Sequence, residues 1–213
     1  MSKKQRVLLS LAACTTVGRY VRAYTSTPMT VLPHWQICMS SERVIVQRGI
    51  SKALIYALTT LAKKIQVGVG DDAHIPPLIS STSAQNVIRL ISDARTRGGD
   101  VVVGDVTHDG AFVKPHIVLG VEPDWPLWQE ETFGPVFGVK VADTEDELVV
   151  LANETNYSLT SAVWTRDIEK GLRIARKIYC GTSPVTLSAG HRPRFSSLLC
   201  HSAGTDGKVS CEI

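Results

Sequence analysis

The stretch "VFGVKVADTEDELVVLANETNYSLTSAVWT", residues 136–165, decides the reading of the fold. Its first seven residues carry three valines and a phenylalanine, which predicts a strand. Thr144 and Glu147 are spaced for a capping box, so "DTEDELVVLANET" is predicted as a helix. "TSAVWT" then returns to strand character. A strand, a helix and a strand in succession form the unit from which parallel sheets are assembled.

The same alternation extends in both directions. Upstream, "STSAQNVIRLISDARTRGGD" places Ala84, Val87, Ile91 and Ala94 on one helical face and stops at Gly98 and Gly99, and "DVVVGD" and then "HIVLGV" follow as strands. Further upstream, "RVIVQR" predicts a strand. After it, "SKALIYALTTLAKKIQ" repeats Leu54, Leu58, Leu61 and Ile65 at helical spacing, with Ser51 as the expected cap. Downstream, "RDIEKGLRIARKIYC" aligns Ile168, Leu172, Ala175 and Ile178 before Gly181. The predicted fold class is α/β, a mainly parallel sheet covered by helices on both faces. Beyond Thr182 the periodicity fades into Ser, Gly and Pro, so residues 182–213 are expected to be a divergent, poorly ordered tail.

Composition narrows the function classes. The chain has 213 residues, 44% of them hydrophobic, enough for a buried core. A net charge of +3 without a clustered basic patch argues against nucleic acid as a partner. The five cysteines, Cys14, Cys38, Cys180, Cys200 and Cys211, are odd in number and widely spaced. They form neither a disulfide framework nor a zinc pair, and a reducing compartment such as the cytoplasm is expected. The six histidines supply no metal-ligating spacing, so no metal site is predicted. The basic amino terminus, with Lys3, Lys4 and Arg6 ahead of an apolar run, resembles a targeting segment and leaves that alternative open. The apolar run over residues 7–17 is too short to span a bilayer, so no membrane partner is expected.

Three candidate motifs need weighing. "GVGDDA", residues 68–73, matches a dinucleotide-binding fingerprint in letters, but a helix precedes it where a strand is required, so it reads as a helix stop and turn. His34 and Cys38 in "HWQICMSSERV" lie four residues apart, a spacing that does not define a nucleophile and its base. Cys38 alone reads as a buried small hydrophobe as readily as a reactive thiol.

Longer stretches weigh in favour of the thiol. "QICMSSERVIV", "PPLIS", "ISDARTRGGDVVVGD", "ETFGPV" and "LANETNYSLTSAVWTRD" together resemble, in order and spacing, the catalytic domain of the NAD(P)-dependent aldehyde dehydrogenase superfamily, in the flavour of its salicylaldehyde and vanillin dehydrogenase-like branch. The resemblance covers roughly residues 36–181. It implies that Cys38 is the catalytic nucleophile, with Trp35 standing where the family has glycine. The thiolate would add to an aldehyde carbon, a hydride would leave to NAD or NADP, and water would hydrolyse the resulting thioester. It also implies that Glu131 contacts the nicotinamide ribose and that Phe133 positions the ring. Taken bare, these two residues read as a loop acid and a core aromatic.

The resemblance has gaps. "TTVGRYVR" and "TPMTVL" resemble fragments of the family's dinucleotide-binding domain, so the expected plan is a remnant over 1–32, a catalytic domain over 33–181 and the tail over 182–213. The family's Glu-Leu-Gly-Gly-Lys stretch, bearing its general base, has no counterpart between Leu32 and Pro33, and its upstream oxyanion asparagine is missing too. Loss of a positioned base costs about 10²–10⁴-fold in rate, so impaired turnover is expected. Two functions therefore stay open: an impaired aldehyde-oxidising enzyme, or a non-catalytic paralogue that associates with itself or with a full-length homologue.

Overall fold

The structure, a computed structural model, describes residues 7–12, 36, 40–70, 73–157, 159, 161–165, 167–181, 185–187, 195–196, 199–203 and 208–212. Its strands are β1 (Val7–Ala12), β2 (Ser41–Gln47), β3 (Asp100–Val103), β4 (His108–Asp109), β5 (Phe112–Val113), β6 (His116–Leu119), β7 (Val136–Ala142), β8 (Ser161–Thr165), β9 (Val185–Leu187), β10 (Phe195–Ser196), β11 (Leu199–Ala203) and β12 (Lys208–Glu212). Its helices are α1 (Arg48–Ala62), α2 (Ser81–Thr96), α3 (Pro126–Gln129), α4 (Glu145–Asn153) and α5 (Ile168–Ala175).

The main sheet has the order β10-β9-β8-β1-β2-β7-β6-β3. Strands β2, β6, β7, β8 and β9 run in one direction, and β1, β3 and β10 run against them. The α/β architecture with a mainly parallel sheet is therefore present. In the middle of the sheet, β2 buries Val44, Ile45 and Val46 completely. Their alternation feeds two cores. Val44 and Val46 pack with Leu58 and Ala62 of α1, whereas Ile45 joins Val87, Leu90 and Ile91 of α2 and Leu148 of α4 on the opposite face. Each such side chain contributes about 1.5–3 kcal/mol by leaving water, which is why a continuous apolar run suits a strand covered on both sides.

Local signals resolve as their chemistry requires. Ala84, Val87, Ile91 and Ala94 of α2 are all fully buried, and the helix is capped by Ser80, whose hydroxyl accepts the Ser83 amide at 3.1 Å. Thr144 caps α4 by accepting the Glu147 amide at 3.1 Å. The return bond of the capping box goes one residue further back, with the Asp143 amide donating to Glu147 Oε2 at 2.7 Å. In α5, Ala175 and, beyond the helix end, Ile178 are buried as expected, Ile168 and Leu172 are partly buried, and Ile174 is a core residue that the spacing did not pick out. Ser51 is corrected. Helix α1 follows β2 directly with Gln47 at the cap position, so Ser51 lies inside the helix and donates to the Arg48 carbonyl at 2.9 Å.

The "GVGDDA" stretch is a turn wherever it is described: Gly70 has φ +101°, and the Gly68 amide donates to the Ile75 carbonyl at 3.0 Å. Two features extend the sequence reading. Val7–Ala12, read there as part of an apolar run, is a strand lying between β2 and β8 and antiparallel to both. Within residues 182–213, β9 and β10 continue the main sheet, and β11 pairs with β12.

Candidate active site

Topology brings the candidate segments together. Because β2, β7 and β8 point the same way, the segments leading into them arrive at one edge of the sheet, at the amino ends of the strands. Glu131 and Phe133 lie just ahead of β7, and Tyr157 lies ahead of β8. Cys38 falls outside the described residues. Its described flanks are Gln36, whose side-chain oxygen accepts the Ile79 amide at 2.8 Å, and Ser40 at the approach to β2.

Two charged residues at the head of β2 tie these segments into one unit. Oε1 of Glu42 accepts three hydrogen bonds, each of 3.0 Å, from the Thr132 amide, the Thr132 hydroxyl and the Phe133 amide. Arg43, only 2% exposed, donates through Nε to the Trp128 carbonyl and through Nη2 to the Glu130 carbonyl at 3.2 Å. Its guanidinium carbon lies 5.6 Å from the centroid of the Tyr157 ring, within cation–π range. Burial pushes the Glu42 carboxyl above its ordinary value, opposed by the Arg43 charge and by the hydrogen bonds from Phe133 and Thr132. Burial likewise lowers the Arg43 pKa, with the charge of Glu42 opposing it. The partners sit close, with Arg43 Nη1 3.9 Å from Glu42 Oε2, too long for a hydrogen bond but within reach of charge attraction.

This clamp holds a loop of unusual backbone. Phe133 has φ +46°, a left-handed conformation that a bulky non-glycine residue adopts only under constraint. Next to it, Gly134 lies so close to α2 that an added Cβ would come 2.4 Å from Val87 Cγ2. The Pro135 carbonyl then accepts the His116 amide at 2.7 Å as β7 begins. With its backbone fixed, Phe133 leaves its side chain 36% exposed, so it is not the core aromatic of the bare reading. Glu131 is half-buried and makes no hydrogen bond among the described residues. The Glu131 charge acts on the nearby Arg43 and raises its pKa against the effect of burial.

Sequence reasoning passed over Glu42, Arg43 and His116. Adjacent opposite charges abutting the fully buried run "VIV" were the available signal for the first two, since charges entering a core demand partners. His116 is buried, with Nε2 accepting the Val106 amide at 3.0 Å and Nδ1 2.7 Å from the Lys114 carbonyl. The first bond requires a bare Nε2, so the proton sits on Nδ1 and the ring is neutral. Burial accordingly lowers its pKa. This histidine braces the turn after β3, where Val106 has φ +56°, and lies within the fold rather than at the edge. Among the described residues no group of three or more potential metal ligands occurs.

Fold and site together define an α/β domain with an acid and an aromatic on a clamped loop at the amino ends of parallel strands. The profile of the Aldehyde dehydrogenase family matches residues 29–194, and the chain belongs to that family. It is 34% identical over 151 residues to a betaine aldehyde dehydrogenase of Cereibacter sphaeroides, covering 69% of this chain and 31% of that protein. It is 32% identical over 152 residues to the peroxisomal aminoaldehyde dehydrogenase 1 of Pisum sativum, covering 68% of this chain and 30% of the relative. Among solved structures, a betaine aldehyde dehydrogenase of Staphylococcus aureus in complex with NAD+ superposes with a TM-score of 0.68 at 30% identity, over 72% of this chain and 32% of that one. The chain thus spans about a third of the length of these relatives.

Proposed function

We propose that this chain carries the thiol half of an NAD(P)-linked aldehyde-oxidising site. Cys38 is the nucleophile: its thiolate adds to the aldehyde carbon and forms the C–S bond while the carbonyl oxygen takes the negative charge. Glu131 would hold the ribose of NAD or NADP through hydrogen bonds to its carboxylate, and Phe133 would position the nicotinamide ring. The cofactor, when bound, supplies the hydride acceptor. The observation that carries this reading is the convergence of the segments preceding β2, β7 and β8 at one sheet edge, bound together by Glu42 and Arg43. The half-buried Glu131 and the exposed Phe133 on that fixed loop fit a cofactor's nicotinamide end.

The substrate is an aldehyde, by resemblance to the salicylaldehyde and vanillin branch an aromatic one. Without the Glu-Leu-Gly-Gly-Lys stretch, release of the acyl group from Cys38 is slow. The widely spaced cysteines support a reducing compartment such as the cytoplasm. The test uses the purified chain with betaine aldehyde, an aminoaldehyde and salicylaldehyde, each with NAD and with NADP. Alongside, an electrophilic aldehyde mimic is mapped by peptide mass spectrometry. Modification concentrated at Cys38, with slow aldehyde-dependent reduction of NAD or NADP, is expected. A chain that neither reduces cofactor nor labels at Cys38 overturns the reading.

A second reading is favoured by the apolar exposure at the same edge, where Phe133, Tyr157 and Leu159 are exposed. Each Å² of such surface forgoes about 25 cal/mol while it faces water, so a covering partner is favourable. The chain would then associate with itself or with a full-length homologue as a non-catalytic partner. Size-exclusion chromatography alone and with such a homologue separates the two, because a lone monomer with cofactor-dependent turnover excludes the partner role.

A further inference from the structure

We propose that Glu42 is the positioning residue of this site: by gathering the amides of Thr132 and Phe133 onto one carboxylate oxygen, it sets the loop conformation that presents Glu131 and Phe133 to the nicotinamide ribonucleotide half of the cofactor. The inference rests on the reading of Glu131 and Phe133 proposed above and adds a residue to it.

Three independent observations converge on this carboxylate. Its Oε1 is the acceptor for two consecutive backbone amides and one hydroxyl from a segment ninety residues away, at 3.0 Å each. Consecutive amides turn toward a single acceptor only where the residue between them, here Thr132, departs from extended geometry, and the turn continues at Phe133 with a left-handed φ of +46°. Second, the other oxygen, Oε2, is buried and has no hydrogen-bond partner among the described residues, with Arg43 Nη1 3.9 Å away. A buried, half-satisfied carboxylate is costly, and such a cost persists where the geometry it enforces is used. Third, Glu42 belongs to the head of β2, whose Val44, Ile45 and Val46 are completely buried, and so refers the loop to the packed middle of the sheet.

The charge itself also matters. Hydrogen bonds to an ionised acceptor are shorter and roughly twice as strong as neutral ones, so a carboxylate holds three donors against the left-handed strain better than an amide oxygen would. Gln at this position keeps an acceptor at the same place and preserves the loop in weaker form. Ala removes the acceptor, and Phe133 is then free to relax to an ordinary φ.

The test compares the wild-type chain with E42Q and E42A in two measurements. Amide hydrogen exchange at Thr132 and Phe133, read against the amides of β7 and α2 as a check on global folding, reports the clamp without any ligand. Nicotinamide mononucleotide titrated against tryptophan fluorescence or by calorimetry reports its use.

The expected result is that E42A loses protection at those two amides selectively and weakens the mononucleotide by roughly tenfold or more, the size of one lost hydrogen bond to a charged group. E42Q falls between wild type and E42A in both measurements. Unchanged protection in E42A overturns the clamp. Selective loss of protection with unchanged mononucleotide affinity overturns the positioning role and leaves Glu42 a structural residue. If E42A does not fold, E42Q carries the decision, and binding equal to wild type with reduced amide protection overturns the proposal. A wild-type chain that binds no mononucleotide overturns the cofactor reading and this inference together, and is distinguished from failure of Glu42 alone because the wild type itself is then blank.

Discussion

Glu42 Oε1 accepts the amide of Phe133 at 3.0 Å and so joins the head of β2 to a loop ninety-one residues further along the chain. The bond matters because β2 and β7 are parallel neighbours, with Arg43 opposite Gly138, yet that pairing begins at Gly138 and does not reach Thr132 and Phe133 in the loop that precedes β7. The side chains of Glu42 and Arg43 do so instead, one holding the loop's amides and the other the carbonyls of Trp128 and Glu130. The loop at the amino end of β7 therefore depends on two buried charged side chains.

Those charges make a pH prediction. Burial is the largest influence on Glu42 and raises its pKa above 4.5, so the folded chain binds this proton more tightly than the unfolded chain does. Stability from this group falls as pH rises from the unfolded value through the raised folded one, and the cost is complete above it. E42Q lacks the titration. Urea unfolding from pH 4 to 8 should show E42Q gaining on wild type as pH increases, and parallel stability curves would contradict the assignment.

His116 acts in the opposite sense. Its folded pKa is lowered from 6.5 chiefly by burial, so the unfolded chain takes up the proton first. The stability it contributes is complete above pH 6.5 and is lost as pH falls through the lowered folded value. By NMR its ring should remain neutral, protonated on Nδ1, at pH 6.5, and H116N should flatten the acid limb of the stability profile. A ring that titrates at the ordinary histidine value would refute the buried neutral tautomer.

Gly134 packs against Val87 with no room for a side chain. G134A should destabilise the protein by about 1–3 kcal/mol, the usual range for overpacking a filled core. Because the clash is with a branched methyl, V87A should relieve part of it. Thermal denaturation of both single variants and the double variant forms the cycle, and strict additivity would show that the two residues do not meet.

The Thr144 cap provides a local test. T144A removes the acceptor for the Glu147 amide and should cost about 1 kcal/mol of stability. T144S keeps the hydroxyl and should recover most of that loss. Equal Tm values for wild type and T144A would mean that the cap bond makes no net contribution.

What the sequence by itself determined was local. Helical spacing placed Ala84, Val87, Ile91 and Ala94 on a single face, and all four are fully buried. The Thr144–Glu147 spacing marked the start of α4, and the ordered segments from "QICMSSERVIV" to "LANETNYSLTSAVWTRD" carried the family. These signals are legible because propensity, capping and amphipathic period operate over a few residues.

Tertiary structure alone decided which segments meet. It placed Val7–Ala12 between β2 and β8, turned Glu42 and Arg43 from surface-like charges into a buried clamp, and made His116 a neutral brace. None of these follows from spacing, since strand order and side-chain partners ninety residues apart arise from the packing of two faces onto one sheet. A buried charge becomes tolerable only when that packing has delivered its donors.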